Sequence, residues 1–510
     1  MNDTETVESC TAPSKESSTD PIREVASVTY GASVSFGALS ANRVLRFVLN
    51  LVLTQAFSVQ SYGVYAFANR LTAVLTRFVP LGSQTTIVRF LPKYADDPER
   101  QDRVLGLAYA TTVGSSVAFS AALFLFAPTI SGLTLDRPLL VDAIRLFAIL
   151  LPFNVLVAFV SEYFRTLQMV EYQTTIRYIA KPGVRLMGAG IALAVGASLL
   201  GVVGAMTAAT AVLTAVILWA AMAKTSVRPR SGATRTEMRE YYNYSLPSAL
   251  ATVGGVLRSR IDVILVGALL TASDAGIYNI VLLLIAVLAI PLQAFNQILP
   301  PVASELYTQD DYAALGTVYT TITRYVFTLT VIGAVVLLVY RVELLGIFGS
   351  EYTRGGIVLA VFLGGRVIAN ACGATGWLLM MTDHQYLHMA NNWVLAVTNV
   401  ALSYTFIVEF GLIGAALGTG GAIAISNLLR LTELWYLEGL QPFDRSFLKP
   451  AVASLVAAGV MKSARPFLSG NRLIVTGSVL GVAAFGLVLF ALGIEQEDYQ
   501  LATELLNAYR

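Results

Sequence analysis

Long apolar runs, each of about 20 residues, follow one another along most of the chain and are separated by short polar segments. A run of this length spans the hydrocarbon core of a bilayer as one α-helix. The pattern therefore predicts an all-α, polytopic membrane protein with about fourteen transmembrane helices. The predicted spans cover residues 33–57, 62–86, 106–130, 139–164, 172–194, 199–222, 244–270, 275–299, 316–340, 357–381, 386–408, 411–436, 447–467 and 472–493.

One part of this pattern occurs twice. Residues 44–65 and 256–278 each contain Val-Leu-Arg, a polar residue one helical turn later, and then Gly-x-Tyr. A Gly-x-x-Gly-Ala run, which is expected to permit close helix packing, recurs at Gly201 and Gly411 with a similar offset. Landmarks with a common offset indicate a duplicated unit, and many membrane transporters consist of two repeated halves. We expect two pseudo-symmetric six-helix lobes, followed by two additional helices.

The distribution of basic residues predicts the orientation. They concentrate in the short loops on one side of the predicted bundle, for example at Arg100, Arg177, Lys181 and Lys224. By the positive-inside rule, these loops and both termini are expected to be cytoplasmic, so that the two halves form a parallel repeat. The expected segments are a disordered cytoplasmic tail with an interfacial helix (1–30), an N-lobe (31–223), a basic cytoplasmic linker (224–242), a C-lobe (243–440), two C-terminal helices (441–494) and a cytoplasmic tail (495–510).

Composition excludes several function classes. The chain is 56% hydrophobic and 13% charged, far more apolar than a soluble domain. A net charge of +2 indicates no nucleic-acid partner, and Cys10 and Cys372 provide no disulfide framework. Residues 1–20 are polar and acidic, so no cleavable signal peptide is expected. Short loops without nucleotide, hydrolase or metal motifs predict a protein that is not an enzyme and that has no cofactor and no metal site.

Charged residues inside the spans are the candidate functional groups. A lipid-facing arginine at mid-bilayer costs roughly 2.5–3.5 kcal/mol on insertion scales, so deep arginines are expected to face a hydrated cavity or each other. Arg77 and Arg260 are expected to reach the interface or neighbouring carbonyls. Glu162, near the inner end of the fourth span, is expected to pair with Arg165. The arginines predicted to lie deepest are Arg43, Arg46, Arg70, Arg258 and Arg366.

The two copies of the repeated helix differ in charge. Arg258 and Asp262 lie four positions apart, share a helix face and can pair, whereas the corresponding Arg46 and Asn50 include no carboxylate. An arginine cluster of this kind suits a phosphate, which the guanidinium group binds through a planar, bidentate fork. The alternative is that the Arg258–Asp262 pair only fixes helix packing.

Amides on the second and eighth spans are weaker candidates. Asn69 and Gln297 suit sugar hydroxyls, but hydrogen bonds between helices explain such residues equally well. Pro80 and Pro291 occupy similar places in these two spans and are expected to kink both. The candidate substrate-binding residues are Arg43, Arg46, Asn50, Asn69, Arg70, Arg258, Asp262, Gln297 and Arg366.

These residues and spacings resemble the polysaccharide-transport branch of the multidrug/oligosaccharidyl-lipid/polysaccharide flippase superfamily, over residues 30–493. The resemblance implies a V-shaped pair of helical lobes that moves a polyprenyl- or dolichyl-phosphate-linked sugar between leaflets by alternating access. It also implies that Arg43, Arg46, Arg70 and Arg258 hold the lipid phosphate. Members of the multidrug branch typically have twelve spans and a carboxylate-rich site in the first half. Here the deep residues of the first half are mostly basic, which favours an anionic substrate.

The leading hypothesis is a flippase for lipid-linked sugars or oligosaccharides in the cell membrane, serving surface polysaccharide assembly or protein glycosylation. The alternative is a cation-coupled multidrug or metabolite exporter that depends on Asp262 or Glu162. A third hypothesis is a non-transporting scaffold in a glycan assembly complex. The expected partners are the lipid-linked sugar, the membrane and glycosyltransferases of the same pathway, with the protein itself a monomer.

Overall fold

The computed structural model describes residues 21–296 and 299–493, with side chains described except at 21–36, 38, 253–260 and 301. Within this part the secondary structure is helical. Eight helices there are long and apolar enough to cross a membrane, which confirms an all-α, multi-pass membrane protein. The total of fourteen spans stays a prediction.

The first half of the chain forms one bundle. Its long helix α6 packs against α2, α4 and α9, while α8 packs against α9. A π-helical segment, Thr175–Ala180, leads into α8. The helices are α1 (Pro21–Ala56), α2 (Val59–Phe78), α3 (Ser83–Lys93), α4 (Pro98–Leu125), α5 (Ala127–Gly132), α6 (Pro138–Thr166), α7 (Val170–Thr174), α8 (Lys181–Ala194) and α9 (Leu199–Lys224).

The second half forms a matching bundle, in which α18 packs against α10 and α16, and α14 packs against α16. Short 3-10 segments lie at Ala286–Ala289, Ser350–Gly355 and Arg445–Phe447. The helices are α10 (Arg235–Leu269), α11 (Ala272–Ile285), α12 (Ile290–Phe295), α13 (Leu299–Thr308), α14 (Tyr312–Val339), α15 (Arg341–Gly346), α16 (Gly356–Ala371), α17 (Thr375–Met381) and α18 (Gln385–Glu438). The last helices, α19 (Leu448–Ser463) and α20 (Gly470–Ala491), pack on each other and against α14.

The glycine runs behave differently in the two halves. At Gly411 the backbone takes φ 58°, and α18 reverses direction into a hairpin. A Cβ on Gly414 would lie 1.8 Å from the Phe406 carbonyl oxygen, so the two arms of this hairpin touch through their backbones. Close packing is therefore confirmed for this run. The prediction of close packing is wrong for Gly204 in the first run, where a Cβ would meet no atom within 4 Å.

Both proline positions interrupt their helices, as predicted. Pro80 lies in the turn between α2 and α3, followed by Leu81 and Gly82 with positive φ of 48° and 76°. Pro291 follows a 3-10 segment in which the Ile290 amide bonds to the Val287 carbonyl. A proline ring lacks the N–H that would continue the helical ladder, so each helix changes direction there.

The linker between the bundles marks one end of the molecule, here called the linker end. It covers residues 225–234 and is held against α4, where the Arg228 amide donates to Asp102 Oδ1 at 2.6 Å and the Arg230 amide donates to the Asp102 carbonyl at 3.0 Å. Thr234 and Glu237 then form a capping box that starts α10. The linker is therefore fixed to the first bundle.

The bundles meet at the opposite end, here called the far end. A Cβ on Gly63 of α2 would lie 1.7 Å from the Ala272 carbonyl oxygen of α11, and one on Gly276 would lie 2.9 Å from the Val59 carbonyl oxygen. Only glycine permits two helix backbones to approach so closely. The rings of Tyr62 and Tyr352 add an edge-to-face contact with centroids 6.0 Å apart. The far end is therefore closed by direct packing.

Candidate functional site

A cavity of about 360 Å³ lies between the bundles. The first bundle supplies most of its wall, from α1, α2, α6, the π-helical segment and α8, while α10 and α11 of the second bundle close one side. Among the residues that line it, Glu162 is the one carboxylate, and it pairs with Arg165 as predicted. The cations that line the cavity are Arg46, Arg70, Arg77, Arg177, Lys181 and Arg185.

The exposure of the lining residues shows where the cavity opens. Arg77 and Arg177, which lie toward the linker end of their helices, are exposed. Tyr62 and Tyr65, which lie within two residues of Gly63 at the glycine crossing, are 0% and 3% exposed. This difference indicates that the cavity opens at the linker end and that the far end is tightly packed.

Four of the predicted residues line this cavity. They are Arg46 and Asn50 on α1 and Asn69 and Arg70 on α2. These residues bring an exposed guanidinium, a second guanidinium and two amides to one wall, because α1 and α2 are consecutive helices that run side by side. The arrangement offers charge to an anion and amides to hydroxyl groups.

Arg43 and Arg366 lie outside the lining of this cavity. Arg43 instead links the bundles: its guanidinium donates to the Ala286 carbonyl and, at 3.1 Å, to Gln293 Oε1. These acceptors belong to the 3-10 segment and to α12, where the helix is broken before Pro291. Arg366 is half-buried on α16, within electrostatic range of Arg43.

The remaining candidates belong to the second bundle. Asp262 is 4% exposed and accepts a hydrogen bond from the Tyr278 hydroxyl at 2.7 Å, so it faces a helix of its own bundle and does not line the cavity. The side chain of Arg258 and the whole of Gln297 lie outside the described residues. The proposed Arg258–Asp262 pair therefore stays a prediction.

Sequence reasoning missed the residues of α8. Lys181 and Arg185 both line the cavity, and Arg185 donates to Asn154 Oδ1 of α6 at 2.9 Å. The charges that act on Lys181 are those of Arg185, Arg46 and Arg177. The distribution of basic residues assigns Arg177 and Lys181 to a cytoplasmic loop, but Lys181 lies about 16 Å along the helical path from Val170. The spacing of four between Lys181 and Arg185 inside a predicted span is the signal that could have identified this shared face.

Four polar side chains form a hydrogen-bond network across the bundle boundary, here called the inter-bundle network. Arg70 donates through Nε to Asn279 Oδ1 at 2.9 Å. Asn279 donates through Nδ2 to the Tyr62 hydroxyl at 2.6 Å and to Asn50 Oδ1 at 3.4 Å, and Tyr62 donates to Asn50 Oδ1 at 2.5 Å. The network connects the cavity wall to the closed far end.

This architecture defines the class first: a multi-pass membrane protein with two helix bundles around a polar cavity that opens at one end. Two solved structures share the fold over nearly their whole length. The lipid II flippase MurJ in an inward closed conformation matches with a TM-score of 0.70 at 14% identity, over 89% of this chain and 97% of its own. An inward-facing multidrug resistance transporter of the MATE family matches with a TM-score of 0.67 at 12% identity, over 80% of this chain and 98% of its own. At these identities the likeness is one of fold.

Sequence comparison identifies the family. The family described as polysaccharide biosynthesis protein matches residues 52–354, more than half of the chain. The chain belongs to this family, within the polysaccharide branch of the multidrug/oligosaccharidyl-lipid/polysaccharide flippase superfamily. The probable low-salt glycan biosynthesis flippase Agl15 of Haloferax volcanii is 26% identical over 237 residues, which are 46% of this chain and 50% of that protein. The alignment thus spans half the length of this curated relative.

Proposed function

We propose that this protein is a flippase that moves a lipid-linked sugar across the cell membrane, with the phosphate of the substrate bound in the cavity and its polyprenyl tail in the lipid. The observation that carries the proposal is the charge of the cavity: six cations line it, and its one lining carboxylate is already paired with Arg165. A cavity with this excess of positive charge attracts an anion and repels a cationic drug.

The α8 cations form the centre of the phosphate site in this proposal. Lys181 lies within electrostatic range of three guanidinium groups, those of Arg46, Arg177 and Arg185. Bringing like charges together in a partly desolvated cavity is unfavourable, and a bound phosphate relieves that repulsion. Arg46 is exposed to the cavity, so its guanidinium is able to form a bidentate contact with phosphate oxygens. Asn69 and Asn154, which also line the wall, suit the hydroxyl groups of the sugar.

The direction of transport follows from the open end. In the proposed orientation the linker end, both termini and the exposed Arg177 face the cytoplasm, where basic loops are favoured. The substrate enters from that side while the far end is closed. The related flippases named for glycan biosynthesis and lipid II support a substrate of this class. We further propose that the protein acts as a monomer alongside the glycosyltransferases that make and use the lipid-linked sugar.

The test is transport of a fluorescent dolichyl-phosphate-linked sugar by the purified protein in liposomes. Arg46→Gln and Lys181→Met are each expected to reduce the initial rate by about tenfold or more, since a hydrogen bond to a charged group contributes about 1.5–3 kcal/mol. Arg145→Gln is the matched control, because Arg145 is a half-exposed arginine that pairs with Asp142 away from the cavity.

Wild-type rates in both cavity variants would contradict the proposal. A parallel experiment addresses the exporter alternative. Efflux of a cationic dye that requires a sodium or proton gradient and is lost in Asp262→Asn would support that alternative instead. A scaffold would transport neither substrate.

A further inference from the structure

The inter-bundle network joins the proposed substrate site to the closed far end. Three of its members, Asn50, Arg70 and Asn279, line the cavity, and the fourth, Tyr62, lies next to Gly63 at the glycine crossing of α2 and α11. Arg70 and Gly63 lie on the same helix, about 10 Å apart along its axis. A displacement of Arg70 at the cavity wall therefore reaches the glycine crossing through a short, rigid segment of one helix.

Asn279 is the member that crosses the boundary. It lies on α11 of the second bundle, whereas Asn50, Tyr62 and Arg70 belong to the first bundle. Separation of the bundles at the far end has to break every hydrogen bond that Asn279 makes to these three side chains. Asn279 is 8% exposed, so each broken bond leaves a polar group in a largely dry environment until water enters.

The second bundle has a similar hydrogen bond that does not cross the boundary. Tyr278, the neighbour of Asn279, donates to Asp262 on α10, and both residues belong to the second bundle. This bond moves with its bundle as a unit. The comparison shows that the hydrogen bonds across the boundary are made by Asn279 and not by the neighbouring Tyr278 hydroxyl.

Arg70 faces two competing acceptors once an anion is in the cavity. Its Nε donates to the neutral amide oxygen of Asn279 at 2.9 Å. A phosphate oxygen is a stronger acceptor for a guanidinium group, because a charge-assisted hydrogen bond is roughly twice as strong as a neutral one. A bound phosphate is therefore expected to draw Arg70 away from Asn279, which weakens the contact between the bundles.

We propose that Asn279 is a positioning residue that couples occupancy of the cavity to the far end: it holds the bundles together through Arg70 and Tyr62 in the empty protein and releases them when an anionic lipid headgroup binds Arg70. This inference rests on the proposed function for the identity of the anion. It assigns to Arg70 two exclusive partners, Asn279 and the substrate. Opening at the far end then follows from binding, as alternating access requires.

The test measures a distance across the far end by electron spin resonance. Nitroxide labels are placed at Gln60 on α2 and Glu351 in the 3-10 segment of the second bundle, two exposed positions, in a chain whose two cysteines are replaced by serine. The full-length protein in lipid nanodiscs is measured alone and with dolichyl phosphate, with neutral dolichol or with inorganic phosphate. The expected result is one short distance without ligand and an added longer distance with dolichyl phosphate only. An equal response to inorganic phosphate would show that a free anion suffices as the ligand.

The variants separate coupling from simple packing. Asn279→Ala is expected to show the longer distance without ligand, raising its population at least threefold, and to respond little to dolichyl phosphate. Arg70→Gln is expected to lose the ligand response. The control is Thr76→Val, a change in the cavity wall that removes a hydroxyl bonded to the Thr72 carbonyl of its own helix.

Two results would overturn the coupling. One is an Asn279→Ala distance distribution identical to that of the wild type in both conditions. The other is a ligand response that persists in Arg70→Gln. In either case transport of the lipid-linked sugar by the wild type would leave the proposed function in place. If the wild type failed to transport the lipid-linked sugar, while Asn279→Ala still raised the population of the longer distance without ligand, the substrate assignment would be overturned instead.

Discussion

At the scale of single residues, the polar groups inside this protein fall into two kinds. Some are fully buried and donate hydrogen bonds to neighbouring elements: Asn370 is 0% exposed and its amide nitrogen donates at 2.8 Å both to the Leu288 carbonyl and to Thr330 Oγ1. Others, such as Asn69 and Lys181, face the cavity. The first kind stabilises contacts between helices, and the second kind is available to a substrate.

The distinction predicts different costs for two asparagines. Asn370→Ala is expected to destabilise the protein by about 1–3 kcal/mol, because it leaves two buried acceptors without a donor. Asn69→Ala is expected to leave stability unchanged within about 0.5 kcal/mol, since its amide faces the cavity. Thermal unfolding in detergent measures both. Equal losses in the two variants would show that the Asn69 side chain is structural.

At the scale of helices, the crossing of α2 and α11 determines how the bundles meet. Gly63 and Gly276 lie where backbone approaches backbone, so neither position has room for a methyl group. The 3-10 segment Ala286–Ala289 and the turn at Pro80 then redirect the same two helices farther along. Each helix is therefore fixed at the far end and bent beyond it, which leaves space for the cavity.

This crossing predicts a large effect of one added methyl group. Gly63→Ala places a Cβ 1.7 Å from a carbonyl oxygen. Because overpacking typically costs about 1–3 kcal/mol, we expect this variant to lose about 2 kcal/mol of stability or more. Gly190→Ala is the matched control, because its Cβ would meet no atom within 4 Å. Yield and thermal stability of the purified protein are the measurements. A Gly63→Ala protein as stable as the control would contradict the close crossing.

At the scale of the whole molecule, an ion cluster at the linker end fixes the start of α10 to the first bundle. Glu240 accepts from Lys93 at 2.7 Å, from the Tyr94 hydroxyl at 2.7 Å and from Arg100 at 2.8 Å. The hydrogen bond from Lys93, with that from Tyr94, lowers the pKa of Glu240 below its ordinary value. Burial raises the pKa of Glu237, but its hydrogen bonds from Arg103 and Thr234 outweigh burial, and the pKa is lowered overall.

The lowered pKa values predict an acid-sensitive contact. A carboxylate whose pKa is lower in the folded protein contributes stability above its unfolded pKa of about 4.3 and loses it as the pH falls through the folded value. Replacing Glu240 by Gln is therefore expected to lower the Tm at pH 7, and the difference from wild type is expected to shrink as the pH falls from about 4.3 through the lowered pKa of the folded protein. Glu409→Gln, which changes an exposed carboxylate of α18, is the control. A difference that persists unchanged at pH 3 would contradict the assignment.

The apolar pattern by itself determined the membrane class, the duplication, the helix breaks at Pro80 and Pro291, and the cavity positions of Arg46, Asn50, Asn69 and Arg70. These follow from local rules: about 20 apolar residues span a bilayer, proline interrupts a helical ladder, and a deep arginine has to avoid lipid. Such rules apply to each helix before it packs, so one sequence is sufficient to state them.

The tertiary structure decided which deep residues share a cavity. Only the packing of α8 against α1 placed Lys181 and Arg185 beside Arg46, and only the crossing of α2 with α11 turned Arg43 toward Ala286 and away from the cavity lining. Helical periodicity fixes which side chains share a face, but it leaves the rotation of that face toward a neighbour undetermined. That rotation depends on contacts between residues more than 100 positions apart, which no local pattern records.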